Sequence, residues 1–194
     1  MKKRLRFDLI LLGDPASGKD TQAKILQQKY LLKPVESGKH WRNLAKKTNF
    51  EGRWLRKTMS LGHPTPVVLM KRFLRQTLKS IPKNRNLIFV GTPRLKPEAQ
   101  LTKKILESKG RDFFVLYLRI PQAQISKRTK GRSRRLPEST EQGIRNRIRY
   151  HKTQVSKTVQ YFQSLKKLKF INANQAIPKV VRDIQKTIND YQRP

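Results

Sequence analysis

Residues 7–21, Phe-Asp-Leu-Ile-Leu-Leu-Gly-Asp-Pro-Ala-Ser-Gly-Lys-Asp-Thr, constrain the fold more than any other part of the chain. The apolar run Leu9 to Leu12 is short and stops at Gly13, as a strand buried on both faces does. Gly13, Asp14, Pro15, Ala16, Ser17, Gly18 and Lys19 then fill the G-x-x-x-x-G-K spacing, followed by Asp20 and by Thr21, one residue later than in the commonest form of the motif. Backbone N–H groups of such a loop, with the positive end of the next helix, attract phosphate oxygens, and the lysine ammonium bridges the outer ones. The segment therefore predicts a bound nucleoside triphosphate. A stray Gly-Lys pair would mean little in a chain this rich in lysine. Here strand, glycine spacing, lysine, hydroxyl and helix occur in the order the motif requires.

Apolar runs alternate with helical segments along the rest of the sequence. Phe7 to Leu12, Asn86 to Gly91, Phe113 to Leu118 and Lys169 to Asn172 are candidate strands, and Val35 is a candidate for a fifth, short one. Thr21 to Tyr30, His40 to Lys47, Pro66 to Ser80, Pro97 to Ser108, Gln122 to Lys130, Glu141 to Leu168 and Pro178 to Tyr191 read as helices. The alternation predicts an α/β fold: three layers, α/β/α, around a mostly parallel five-stranded sheet, with ligands at the carboxyl ends of the strands. The 194 residues suit a single domain with a full core. No cysteine is present, which excludes disulfides and thiolate zinc sites. The basic start Met-Lys-Lys-Arg-Leu-Arg is followed by an apolar stretch too short for a membrane span, so a soluble, cytoplasmic protein is expected. Lys and Arg number 46 against 12 Asp and Glu, a net charge of +34. Such an excess draws polyanions, whether nucleotides, RNA or an anionic membrane surface.

Several further segments, in order, carry a resemblance to adenylate kinase and its nucleoside monophosphate kinase relatives. Gly13 to Ala23 resembles that family's phosphate loop. Ser37-Gly38-Lys39-His40-Trp41-Arg42 sits where the family has Thr-Gly-Asp-x-x-Arg, and Gly62-His63-Pro64-Thr65-Pro66 is similar to its Gly-x-x-x-Pro. Gly91-Thr92-Pro93-Arg94, with Pro97, resembles Gly-Phe-Pro-Arg-x-x-Pro; Arg128 to Arg132 resembles the start of the lid, and Arg147 with Tyr161-Phe162 the helix behind it. The resemblance implies a helical monophosphate-binding excursion at about residues 36–66, a short lid at about 131–140, ATP and Mg2+ as cofactors, and a monomer. It assigns Ser37, Gly38, Arg42, Thr65, Gly91, Arg94 and Glu98 to the monophosphate. Thr21 would meet the metal, and Lys19, Arg94, Arg128, Arg132, Arg135 and Arg147 would surround the donor and the transferred group.

The chemistry agrees with that assignment, because phosphoryl transfer depends on positioning and on cancelling negative charge, and arginine pairs bidentately with phosphate oxygens. The departures share one direction: acids have gone. Lys39 and Val90 stand where the family has aspartates that hold water around magnesium, and the lid's Asp-Asp pair is reduced to Glu138. Val67 also replaces an acid, Ala16 replaces a glycine of the loop, and Glu98 replaces the glutamine expected to read the acceptor adenine. Asp14 and Asp20 are candidates to restore carboxylate character near the metal.

Two readings follow. One is a nucleoside monophosphate kinase moving the terminal phosphoryl of ATP to AMP or a related monophosphate. The other is a kinase-shaped protein with little catalysis that binds RNA or the ribosome through its basic surface. Trp41 and Trp54 fall in helical segments and are expected to pack, so they lend the second reading no stacking platform. His40, His63 and His151 lack metal-ligand spacing and read as surface or helix residues.

Overall fold

The computed structural model describes residues 2–82, 84–130 and 141–193. Five strands, β1 (Asp8–Gly13), β2 (Leu32–Val35), β3 (Asn86–Val90), β4 (Phe113–Arg119) and β5 (Leu168–Asn172), form one sheet in the order β2-β3-β1-β4-β5. Every pairing is parallel, with Leu9 opposite Ile88 on one side and Phe114 on the other. Helices α1 (Lys19–Lys29), α2 (Ser37–Ala45), α3 (Phe50–Ser60), α4 (Val67–Lys79), α5 (Lys96–Glu107), α6 (Gln122–Lys130), α7 (Glu141–Tyr150), α8 (Ser156–Ser164) and α9 (Ile177–Gln192) make the connections.

The core is in two halves because side chains along a strand alternate between faces. From β1, Leu9 and Leu11 enter a cluster with Leu26 of α1 and Val180, Ile184 and Ile188 of α9. Ile10 and Leu12 enter the opposite cluster, with Leu74 and Leu78 of α4 and Phe162 of α8. Burial on both faces explains why the central strands are continuous apolar runs. The chain crosses to opposite sides of β1 before and after β3, so the loop after β1 sits at the switch in strand order, where such sheets bind ligands.

Asp8 is the exception in this core. Its fully buried carboxylate accepts from Arg111 Nε at 2.8 Å, Arg111 Nη2 at 2.5 Å and the Leu87 N–H at 2.7 Å. That set joins β1, β3 and the approach to β4 at the end of the sheet opposite the phosphate loop.

Two expectations need correction. The stretch 141–168 is not one helix: α7 passes into a π turn at His151–Val155, α8 ends at Ser164, and Leu168 already belongs to β5. A left-handed Lys166 (φ 56) turns the chain there, and the Lys167 N–H returns to Phe162 O at 3.1 Å. Trp54 lies on α3, which is capped by the Asn49 side chain accepting from the Gly52 N–H at 2.9 Å. Trp41 is buried as expected, whereas Trp54 is 37% exposed beside Phe50 at 76%. The lid segment, with Arg132, Arg135 and Glu138, lies outside the described residues. No helix among the described residues is long and apolar enough to cross a membrane.

Candidate active site

The loop from Gly13 to Lys19 leaves β1 and opens α1 through Gly18, whose left-handed backbone (φ 88) makes no side-chain cap. The first N–H groups of α1 are thereby left for an anion. Ala16, at the family's glycine position, is also left-handed (φ 59), a strained conformation for a residue with a Cβ. Ser17 is buried and its N–H closes the loop onto Asp14 O at 3.1 Å. Lys19 lies across the loop, its ammonium donating to Gly13 O at 2.9 Å, Asp14 O at 2.7 Å and Ser17 Oγ at 3.4 Å. Burial, and then repulsion by Arg94, lower its pKa to about 7 despite Asp20 and Asp14 nearby.

Lys19 and three distant arginines share one pocket. Its wall includes Ala16, Lys19, Asp20, Glu36, Lys39, Arg42, Val90, Gly91, Arg94, Arg147, Tyr150 and His151. Gly91 lies between two of the cations: a Cβ there would be 3.6 Å from Lys19 Cε and 3.9 Å from Arg94 Nη2. Arg94 is aimed by its own backbone, with Nε donating to Gly91 O at 2.9 Å and Thr158 Oγ1 donating to the Arg94 carbonyl at 2.7 Å. Arg94 is an exposed residue that lines the cleft, with the pocket walls around it. That enclosure, followed by repulsion from Arg147, holds its pKa below the ordinary value. So many like charges in one cleft repel one another until a polyanion enters.

A second pocket adjoins the first through Gly38, Arg42, Arg94, Arg147 and Tyr150, which line both. Its remaining wall includes Ser37, Trp41, Met59, Thr65, Met70 and Glu98. Gly38 leaves room for Arg42, since a Cβ there would come within 3.2 Å of Arg42 Nη1. Glu98 is 1% exposed, and its Oε2 accepts from the Arg94 N–H at 2.8 Å and the Leu95 N–H at 3.2 Å. Burial raises its pKa, opposed by those two N–H groups and by Arg94 and Lys71.

Most residues assigned from the sequence thus meet at two joined pockets, and a few do not. Thr21 sits exposed on the first turn of α1 and lines neither pocket. Arg128, on α6, donates to Ala173 O at 3.4 Å and Asn174 Oδ1 at 3.3 Å beyond the end of β5, and also lines neither. Asp14 directs its carboxylate away from the phosphate pocket. Oδ1 accepts from the Tyr117 hydroxyl at 2.7 Å and Oδ2 from the Ile120 N–H at 2.8 Å, so this side chain is a brace between loop and β4.

His151, read from sequence as an ordinary surface or helix residue, belongs to the site. The π turn carries its ring to the loop, where Nε2 donates to Gly13 O at 3.2 Å and Nδ1 lies 3.8 Å from Asp14 Oδ1. Burial, then Lys19, push its pKa down to about 4, so the ring is neutral at pH 7. Glu36 and Tyr150 were also missed, as neither carries a motif.

The fold and the pair of pockets define a phosphate-loop α/β protein that can seat a polyphosphate beside a second anion. Comparison with known proteins places it more closely. A family model for adenylate kinase matches residues 11–167, and the chain belongs to that family of nucleoside monophosphate kinases. It is similar to the adenylate kinase of Bacteroides fragilis, 26% identical over 186 residues that cover 94% of this chain and 98% of the relative. It is also similar to those of Prochlorococcus marinus (30% over 186 residues; 95% and 98%) and Mycobacterium leprae (29% over 166 residues; 85% and 90%).

Proposed function

We propose that this chain transfers the terminal phosphoryl group of ATP to AMP or a related nucleoside monophosphate. The observation that carries the reading is the convergence of Lys19, Arg42, Arg94 and Arg147 on one pocket beside the phosphate loop. The loop amides and the start of α1 hold the donor phosphates, and Lys19 leaves its loop carbonyls to meet the terminal one. Arg42, Arg94 and Arg147 hold the acceptor phosphate and spread the charge that develops between the two nucleotides. An acceptor phosphate oxygen attacks the terminal phosphorus, the bond to the bridging oxygen breaks, and a nucleoside diphosphate leaves with that oxygen. No covalent enzyme intermediate is needed. Arg128, Arg132 and Arg135 are assigned to the donor side by resemblance.

The acids that remain fit a magnesium ion carried by phosphate. Such an ion keeps several waters and needs only one or two protein oxygens. Asp20 and Glu36 line the phosphate pocket, and no cluster of three acidic or histidine ligands exists among the described residues to cage a free ion. Asp20 and Glu36 would hold the ion through its waters, and Thr21 would meet it directly only after moving toward the pocket. The ion supplies neutralisation of phosphate charge.

A coupled assay with magnesium-ATP against AMP, GMP, CMP, UMP and dTMP tests the reading. Turnover with at least one acceptor is expected, lost in Lys19→Ala and Arg94→Ala. Silence across the panel overturns it.

One observation favours the RNA reading. Phe50 and Trp54 stand exposed on α3 among the exposed Arg53 and Lys57, an arrangement of stacking faces and cations suited to single-stranded nucleic acid. Binding to a mixed-sequence oligoribonucleotide that weakens steeply with salt and is lost in a Phe50→Ala, Trp54→Ala double variant is its signature.

A further inference from the structure

We infer that the acceptor pocket selects a base that presents a ring N–H to Glu98, and that guanosine monophosphate is therefore a better acceptor than AMP. This inference rests on the kinase reading above and sharpens its substrate.

The two pockets share the cations Arg42, Arg94 and Arg147, so a monophosphate held by them leaves its base to occupy the part of the second pocket that the first does not share. That part is flanked by Trp41, Met59 and Met70, with Glu98 the one acidic residue lining the second pocket among the described residues. Apolar walls with a few placed polar groups are what a base-binding site requires.

Glu98 has one oxygen committed and one left. Oε2 already accepts from the Arg94 and Leu95 N–H groups, which fixes the carboxylate and fills that oxygen's two lone pairs. Oε1 accepts from no group among the described residues and belongs to a side chain on the pocket wall. Burial raises its pKa, opposed by the two N–H groups, Arg94 and Lys71, and in its ionised form the side chain can only accept.

Guanine offers N1–H and the N2 amino group side by side on its Watson–Crick edge. Adenine presents a lone pair at N1, which would face the carboxylate with no proton between them. An amide side chain here would offer a donor to that lone pair; a carboxylate has none.

The test is calorimetric titration of the full chain with GMP and with AMP, alongside turnover of each with magnesium-ATP, in wild type and in Glu98→Gln. The amide keeps an oxygen for the Arg94 and Leu95 N–H groups and turns its amino group to the pocket, so this variant is expected to fold. Wild type is expected to bind GMP about 10-fold or more tightly than AMP, and Glu98→Gln to reverse or erase that ratio, the size of a matched against a mismatched base contact. Tighter binding of AMP than of GMP by wild type overturns the inference, as does a ratio unchanged by Glu98→Gln. Binding that follows the expected ratio with no turnover would leave the selectivity standing and count against the kinase reading alone. Failure of both nucleotides to bind sinks both.

Discussion

Tyr117 near the end of β4 donates its hydroxyl hydrogen bond to Asp14 of the phosphate loop at 2.7 Å, so the loop is tied to the strand beside the one it grows from. The same carboxylate holds the Ile120 N–H, and His151 grips the loop one residue earlier through Gly13 O. Asp14 thus acts on the loop through its neighbours. Tyr117→Phe leaves a largely buried carboxylate oxygen short of a donor and is expected to lower stability by about 1–3 kcal/mol, read from denaturant unfolding. The magnesium dependence of turnover should not change in Tyr117→Phe, because Asp14 faces away from the phosphate pocket; a changed dependence would return it to the metal.

The opposite end of the sheet depends on Asp8 and Arg111. Arg111→Ala removes two of the three donors from a carboxylate with no exposed surface, while Asp8→Ala leaves the Leu87 N–H without its acceptor and the guanidinium with the Arg85 carbonyl alone. Either truncation is expected to destabilise by about 3–5 kcal/mol, since it leaves an uncompensated buried charge or polar group. A double change to well-packed apolar residues should recover much of that loss. Thermal melts of both single variants and the double variant give the comparison.

The sheet and the phosphate loop were legible because each is local. An apolar run ending in Gly13-x-x-x-x-Gly18-Lys19 states strand, loop and helix within fifteen residues, and burial on both faces leaves the central strands as unbroken apolar runs. Arg94 was legible for a similar reason, following a strand, Gly91 and Pro93. His151 was not. Its place depends on a π turn that nothing in His-Lys-Thr-Gln-Val announces, and on a contact with Gly13 across 138 residues of sequence. Asp14 was misjudged because a side chain in the right loop can still point out of it. Glu98 was legible as a departure from the family's glutamine, but its two backbone donors, which commit one oxygen and leave the other, belong to the fold of 91–98.

Gly62 and Gly143 pack backbone against backbone. Gly62 is left-handed (φ 70), a Cβ on it would come within 2.5 Å of the Gly143 carbonyl oxygen, and Asn146 Nδ2 donates to Leu61 O at 2.8 Å beside them. This contact holds the turn after α3 against α7, the helix that carries Arg147, and Gly62 lines the acceptor pocket. Gly62→Ala imposes both backbone strain and a clash, so it is expected to lower stability by more than about 1 kcal/mol and to raise KM for the acceptor more than KM for ATP. Steady-state kinetics with each substrate varied in turn separate the two effects; equal changes in both KM values would show that the contact does not shape the acceptor side.

Lys19 makes donor binding depend on pH with a sign that can be worked out. In the free protein its pKa is lowered from 10.5 to about 7 by burial and by Arg94. A bound triphosphate brings several negative charges to the ammonium and raises that pKa again. Binding therefore takes up a proton above pH 7. The affinity is greatest below about pH 7 and falls as pH rises, by up to about tenfold per unit, until the pKa of the complex is reached. Stability of the free protein runs the other way. Between about 7 and 10.5 the unfolded chain binds the proton and the folded chain does not, so Lys19 weakens the fold fully below that window and progressively less as pH rises through it. Calorimetric titration with a non-hydrolysable ATP analogue, in two buffers of different ionisation enthalpy, counts the protons taken up. Near pH 8 an uptake approaching one proton per nucleotide is expected in wild type and none from this group in Lys19→Met, whose unfolding free energy should lose the corresponding rise with pH. Affinity that does not vary between about pH 6 and about pH 9 would show that the ammonium is not what meets the triphosphate.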